Sequence, residues 1–152
     1  MSGLQHNRIG SVRFILIAIA LTLGAAQALA QHVFQPARGT PLRAELMDAA
    51  RPTFEAEIGG KIEFVVRRLN VWGDWAFGDV TAQRPGGRPI DWRRTRFAED
   101  FKEGMFDPAG SFFLLRKTGR QWVVVEYAIG PTDVAWDGWR QQRKLPQALF
   151  ER

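Results

Sequence analysis

Two apolar runs, Phe112-Phe113-Leu114-Leu115 and Trp122-Val123-Val124-Val125, flank the short break Thr118-Gly119-Arg120. A Gly-containing break between two such runs is a β-hairpin signature. Runs that are apolar at both parities suit strands buried on both faces. The pattern predicts strands over 111–117 and 121–129, both central in a sheet.

A second hairpin is legible upstream, over 61–83. Ile62, Phe64 and Val66 alternate, Arg67-Arg68 interrupts, and Leu69 and Val71 resume at the opposite parity. One extra residue would return both groups to one face, which predicts a β-bulge near Arg67-Arg68. Trp72-Gly73-Asp74-Trp75 is a tight reversal, and residues 75–83 form the returning strand.

Before this hairpin, residues 31–39 read as a flexible, extended lead-in. Thr40-Pro41 then opens a helix, with Thr as N-cap and Pro at the first helical position. Leu42, Leu46, Met47 and Ala50 share one face, while Arg43, Glu45 and Asp48 face water. The expected helix covers 40–51, with Pro52 stopping or kinking it. A short second turn through Phe54 and Ile58 would precede Gly59-Gly60.

Between the hairpins, Arg84-Pro85-Gly86-Gly87-Arg88-Pro89 is a loop by composition. Trp92, Phe97, Phe101 and Met105 have roughly helical spacing, so the insertion should hold a short helix. After Gly130-Pro131, a tail with Trp136, Trp139, Leu145, Leu149 and Phe150 should form helical turns that wrap back onto the sheet.

The expected fold class is therefore α+β: an N-terminal helix packed on a curved, mainly four-stranded antiparallel sheet, with an insertion between the hairpins and a C-terminal helical tail. The element order over residues 40–130 resembles the cystatin-like and NTF2-like architectures, in which a helix packs on a curved antiparallel sheet. The run from Trp75-Ala76-Phe77 through Trp122-Val123-Val124 to Ile129-Gly130-Pro131-Thr132-Asp133-Val134 is similar to small exported bacterial proteins of unassigned function. That resemblance implies no activity and transfers no site residue.

Residues 1–30 read as a secretory signal peptide. Arg8 and Arg13 precede an apolar run from Phe14 to Ala26, and Ala28-Leu29-Ala30 offers a small-x-small cleavage site. The run falls short of the roughly 20 residues that a membrane span needs. Cleavage would leave residues 31–152 as a single domain, with no transmembrane segment, in the periplasm or secreted. With no Cys in the chain, its core alone must stabilise it. Loss of Arg8 and Arg13 lowers the formal net charge from +5 to +3.

His6 leaves with the signal and His32 stands alone near the new terminus, so no Ser-His-Asp triad, Cys-His pair or His-based metal site can be assembled. No metal, cofactor or catalytic residue is assigned. Asp74, Asp79, Glu126, Asp133 and Asp137 are the acid-base candidates for an alternative reading, a small carboxylate-dependent hydrolase, which would need two of them about 5–10 Å apart. The densest basic stretch is Arg84, Arg88, Arg93, Arg94 and Arg96, with Trp92 among them. It suits an anionic envelope component, with Trp92 as a stacking or interfacial anchor. Asp91, Glu99, Asp100 and Glu103 balance it, which argues against nucleic acid. Trp122, Trp75 and Trp136 are expected in the core, and Trp72 and Trp139 exposed as ligand-contacting rings. The reading is an exported, non-enzymatic binding or interaction domain that uses a sheet-and-helix cleft or the insertion. Its partner would be an anionic envelope component or another envelope protein. A structural subunit of an envelope complex is the remaining alternative.

Overall fold

The computed structural model divides into two units, Met1–His32 and Val33–Arg152, and describes residues 32–151. The expected signal peptide lies outside the described residues. Helix α1 spans Pro41–Ile58, strands β1 and β2 span Glu63–Trp72 and Trp75–Gln83, and β3 and β4 span Ser111–Thr118 and Gln121–Ile129. Between the hairpins lie a 3-10 turn, Trp92–Arg94, and a short helix α2, Ala98–Lys102. Helix α3, Trp136–Arg143, and a second 3-10 turn, Gln147–Leu149, follow the sheet. The four strands are antiparallel in the order β1-β2-β3-β4, as the hairpins dictate.

Thr40 caps α1, its Oγ1 accepting from the Arg43 N–H at 3.4 Å. The helix does not stop before Pro52 but runs through it. Proline denies one i→i−4 hydrogen bond, yet Phe54 and Ile58 beyond it are buried with Leu46, Met47 and Ala50. Continuing the helix keeps all five on the face that meets the sheet, and this burial outweighs the missing bond. Glu55 fastens the far end. Its carboxylate accepts from the Ile62 N–H and from Lys61 Nζ, each at 3.2 Å.

The β1 bulge is present: Val66 pairs with Val80, and Arg68, two residues on, pairs with Asp79. Ile62, Phe64, Val66, Leu69 and Val71 thereby join one core cluster with Ala76, Val80, Phe113 and Leu115. Phe54 is the centre of this cluster, edge-on to Phe64 at 5.0 Å and to Phe113 at 6.2 Å. The insertion extends the same core through Ile90, Trp92 and Phe106.

Alternate residues on the strands build the other face. There Phe77 and Leu114 pack with Leu145, Leu149 and Phe150 of the C-terminal segment, and Trp136 stacks on Phe150 at 5.2 Å. Asn70, 2% exposed, holds this segment by donating from Nδ2 to the carbonyls of Leu149 at 2.9 Å and Glu151 at 2.8 Å. The tail does wrap back onto the sheet.

Strand β4 is not central. It forms one edge, with Val123 46% and Tyr127 41% exposed. Its apolar run does not double-bury because the C-terminal cluster contains no β4 residue. Val125 is the extra residue where Leu114 pairs with Glu126 and Leu115 with Val124. The central strands are β2 and β3.

Candidate functional site

The space between α1 and the sheet is filled, since Leu46, Ala50, Phe54 and Phe113 have no exposed surface. The expected sheet-and-helix cleft is therefore closed. Two recesses lie at the β1 bulge, and others lie beside α2, at Arg93, Phe101 and Lys102, and along α1. One recess of about 480 Å³ is lined by Gln35, Arg67, Arg68 and Asp79. A second, of about 280 Å³, shares Gln35, Arg67 and Arg68 and adds Arg38 and Arg43 to its walls.

Three segments supply these arginines. The lead-in bears Arg38, the first turn of α1 bears Arg43, and the bulge bears Arg67 and Arg68. The lead-in is pinned at its start by an antiparallel bridge in which the Phe34 N–H donates to Val71 O at 3.0 Å and the Val71 N–H returns to Phe34 O at 2.8 Å. Arg43 Nη1 donates to Pro36 O at 3.2 Å and holds the lead-in against the helix.

The arginines differ in what they have left to give. Arg67 donates from Nε to Asp79 Oδ1 at 2.8 Å and from Nη1 to Thr81 Oγ1 at 2.9 Å. It also bonds Asp79 through Nη2 and the Ala109 carbonyl through Nη1. With five N–H groups in total, Arg67 is nearly spent. Arg68 is more buried. Its Nη1 donates to Phe150 O and its Nη2 lies 3.7 Å from Asp79 Oδ2, while its Nε is buried without a partner among the described residues. Such an orphaned donor costs on the order of 1–3 kcal/mol. Arg43 uses one donor in a described hydrogen bond, and Arg38 none. Four arginines thus line the 280 Å³ recess, while the one carboxylate among the lining residues, Asp79, lies in the 480 Å³ recess and is paired with Arg67 and Arg68. The side chains lining the two recesses sum to three formal positive charges. The arrangement can bind oxyanions.

The basic residues read from the insertion do not converge. Arg84 Nη1 donates to Lys61 O at 3.1 Å, and Arg88 Nε to Pro85 O at 3.3 Å. Arg96 pairs with Glu57, and Arg93 lies over the Phe101 ring at 5.3 Å. Arg94 is exposed. Trp92 is 7% exposed and packs on Phe106 at 4.6 Å, so it anchors the insertion and presents no free ring to a ligand. Asp91 caps the 3-10 turn through the Arg93 N–H, and Glu99 pairs with Lys102. Trp72 and Trp139 are half-buried against the C-terminal cluster rather than exposed, alongside Trp75 and Trp136, while Trp122 is in the main core.

Among the acid-base candidates, Asp79, Glu126 and Asp137 each bear an arginine: Arg67, Arg143 and Arg140. A separate polar group joins α1 to β4, where the Tyr127 hydroxyl donates to Glu57 Oε1 at 2.8 Å. That hydrogen bond, with burial and the Glu57 charge, pushes the Tyr127 pKa above its ordinary value of 10.0. At Glu55, burial works to raise the pKa. The Ile62 N–H and the Lys61 ammonium outweigh it and hold the carboxyl below its usual 4.5.

Among the described residues no group of three or more His, Asp or Glu is placed to hold a metal ion. No helix there is long and apolar enough to cross a membrane. Compared with models of protein families, with curated proteins and with solved structures, the chain matches none.

The sequence singled out Arg67-Arg68 only as a topological break and assigned Arg43 to solvent. Two adjacent arginines at a bulge, with an aspartate on the partner strand, were the available signal. Arg38 and Arg43 carried none, because only the path of the lead-in brings them to that bulge.

Proposed function

We propose that this chain is an exported, non-enzymatic binding domain whose ligand is anionic and is held at the β1 bulge. The observation that carries the reading is the recess lined by Arg38, Arg43, Arg67 and Arg68, of which only Arg67 and Arg68 are paired with a carboxylate among the described residues, that of Asp79. Guanidiniums form strong, directional hydrogen bonds to oxyanions. Here Arg67 is committed to building the site and Arg68 partly so, through Phe150 O and Asp79, which leaves Arg38 and Arg43 with the most donors for a ligand. Export is supported by Ala28-Leu29-Ala30 after the apolar run. The cystatin-like or NTF2-like likeness stays within this proposal as a kinship of element order, with the ligand on the sheet edge and not in the helix-covered face.

The test is a thermal-shift series with acetate, malonate and inorganic phosphate at constant ionic strength, on the chain starting at Gln31. A ligand that binds only the folded state raises the melting temperature. At least one of these anions should do so in the wild type and fail to do so in an Arg38→Gln/Arg43→Gln double variant. No shift with any of them would remove the reading. Mass spectrometry of the envelope fraction should find a mature chain beginning at Gln31. An uncleaved product retained in the membrane would contradict export.

A further inference from the structure

We infer that the group recognised at the bulge is a phosphate, free or as a monoester, and not a carboxylate; this rests on the anion-binding reading above. Its first support is directional. Donors remain on arginines of three separate segments: Arg38 from the lead-in, Arg43 from α1 and, through its Nη groups alone, Arg68 from β1. A carboxylate offers two oxygens in one plane, which a single guanidinium satisfies side by side. A phosphate offers three terminal oxygens in a tetrahedral array and can be engaged from three sides.

Charge gives the second support. The four arginines that line the recess have one carboxylate beside them, Asp79 on Arg67 and Arg68, so the lining residues carry an excess of three formal positive charges. A phosphate with a second pKa near 6 carries roughly −1.5 to −2 at neutral pH and offsets more of that excess than a monoanion can.

The position of Arg43 gives the third. It lies in the first turn of an 18-residue helix that has no acidic residue there. A cation at this end opposes the helix dipole, and an anion there is favoured. A dianion bound beside Arg43 offsets its opposition to the helix terminus and part of the positive charge of the lining. The recess has a volume of about 280 Å³, close to the lower end of the range for small-molecule sites. That is room for a phosphate and a small organic substituent.

The phosphate could be a soluble monoester or a lipid headgroup, and the test separates them. Titration calorimetry at fixed ionic strength compares inorganic phosphate with acetate on the wild type, Arg38→Gln, Arg43→Gln and the remote control Arg94→Gln. Phosphate should bind about tenfold or more tightly than acetate. Either glutamine variant should weaken phosphate about tenfold, the scale of one charge-assisted hydrogen bond, and the control should leave it unchanged. Without ligand, Arg38→Gln should melt no lower than wild type, because Arg38 makes no described hydrogen bond or ion pair that it would lose. That variant therefore keeps the test decisive even if Arg43→Gln misfolds. Flotation with phosphatidic acid vesicles but not phosphatidylcholine would identify a lipid headgroup, and phosphate binding without flotation a soluble ligand. Either outcome supports the phosphate. Acetate binding as tightly as phosphate overturns it and leaves the anion reading standing. Phosphate binding unchanged in both glutamine variants also overturns it. Failure of phosphate to bind overturns it, and failure of acetate and malonate as well removes the anion reading with it.

Discussion

Arg67 Nε donates to Asp79 Oδ1 at 2.8 Å, and it does so from the one place where β1 carries an extra residue against β2. The bulge turns Arg67 and Arg68 toward the same aspartate, whose side chain is 12% exposed. Asp79 is thus the counter-charge that allows two adjacent arginines to sit on a sheet. Asp79→Asn should destabilise the domain by about 1–3 kcal/mol in urea unfolding. Breaking a buried pair costs about 3–5 kcal/mol, and the 39% exposure of the Arg67 side chain calls for a lower figure. An unchanged unfolding midpoint would show that the pair contributes nothing to holding the bulge.

The fold was largely legible because its signals are local. The Thr40-Pro41 cap, the parity switch at Arg67-Arg68 and the glycine-containing turns each act within a few residues, and each strand was legible to within two residues. Two features were not local. The helix runs through Pro52 because Phe54 and Ile58 find Phe64, Phe113 and Ile62 to bury against. Strand β4 lies at an edge because the hairpin order places nothing beyond it, and Val123 stays exposed because the tail packs on Phe77 and Leu114 without any β4 residue. The arginine site failed to show for the same reason. Arg38 and Arg67 are far apart in sequence, and no spacing rule joins a lead-in to a bulge. The insertion, dense in arginine, drew attention that its scattered hydrogen bonds do not support.

Gly78 lies on β2 directly under the Phe113 ring, where a Cβ would overlap the ring atoms. The ring is fully buried and bounded by Phe54 and Phe64, so it has little space to yield. Gly78→Ala should cost about 1–3 kcal/mol from overpacking. Chemical denaturation measures it. A variant as stable as wild type would mean that Phe113 can move aside freely.

Phe54 tests the helix side of the same core. Phe54→Ala should cost about 3–5 kcal/mol, the usual toll of an aromatic removed from a closed core. Loss well below 1 kcal/mol would show that α1 is not docked on the sheet.

Two pH effects follow from the C-terminal turn of α1, which carries Glu55 and Glu57. Tyr127 has a raised pKa in the folded state, so its contribution is fully present below pH 10.0 and is lost as pH rises through the folded value. Near-ultraviolet absorbance reports this directly, because Tyr127 is the only tyrosine. Glu57→Gln should bring its midpoint back toward 10.0, and an unmoved midpoint would refute the hydrogen bond. Glu55 has a lowered pKa, so its contribution is present above pH 4.5 and is lost as pH falls through the folded value. Acid unfolding should therefore begin at higher pH in Lys61→Ala than in wild type.

The central claim is that an anion is held by the arginines of the β1 bulge and not by those of the insertion. The most direct measurement is nuclear magnetic resonance of the arginine Nε–H groups while inorganic phosphate is added at constant ionic strength. The signals of Arg38 and Arg43 should shift together and saturate with a single dissociation constant, while those of Arg93 and Arg94 stay in place. Shifts confined to Arg93 and Arg94, or uniform drifts without saturation at any arginine, would contradict the account.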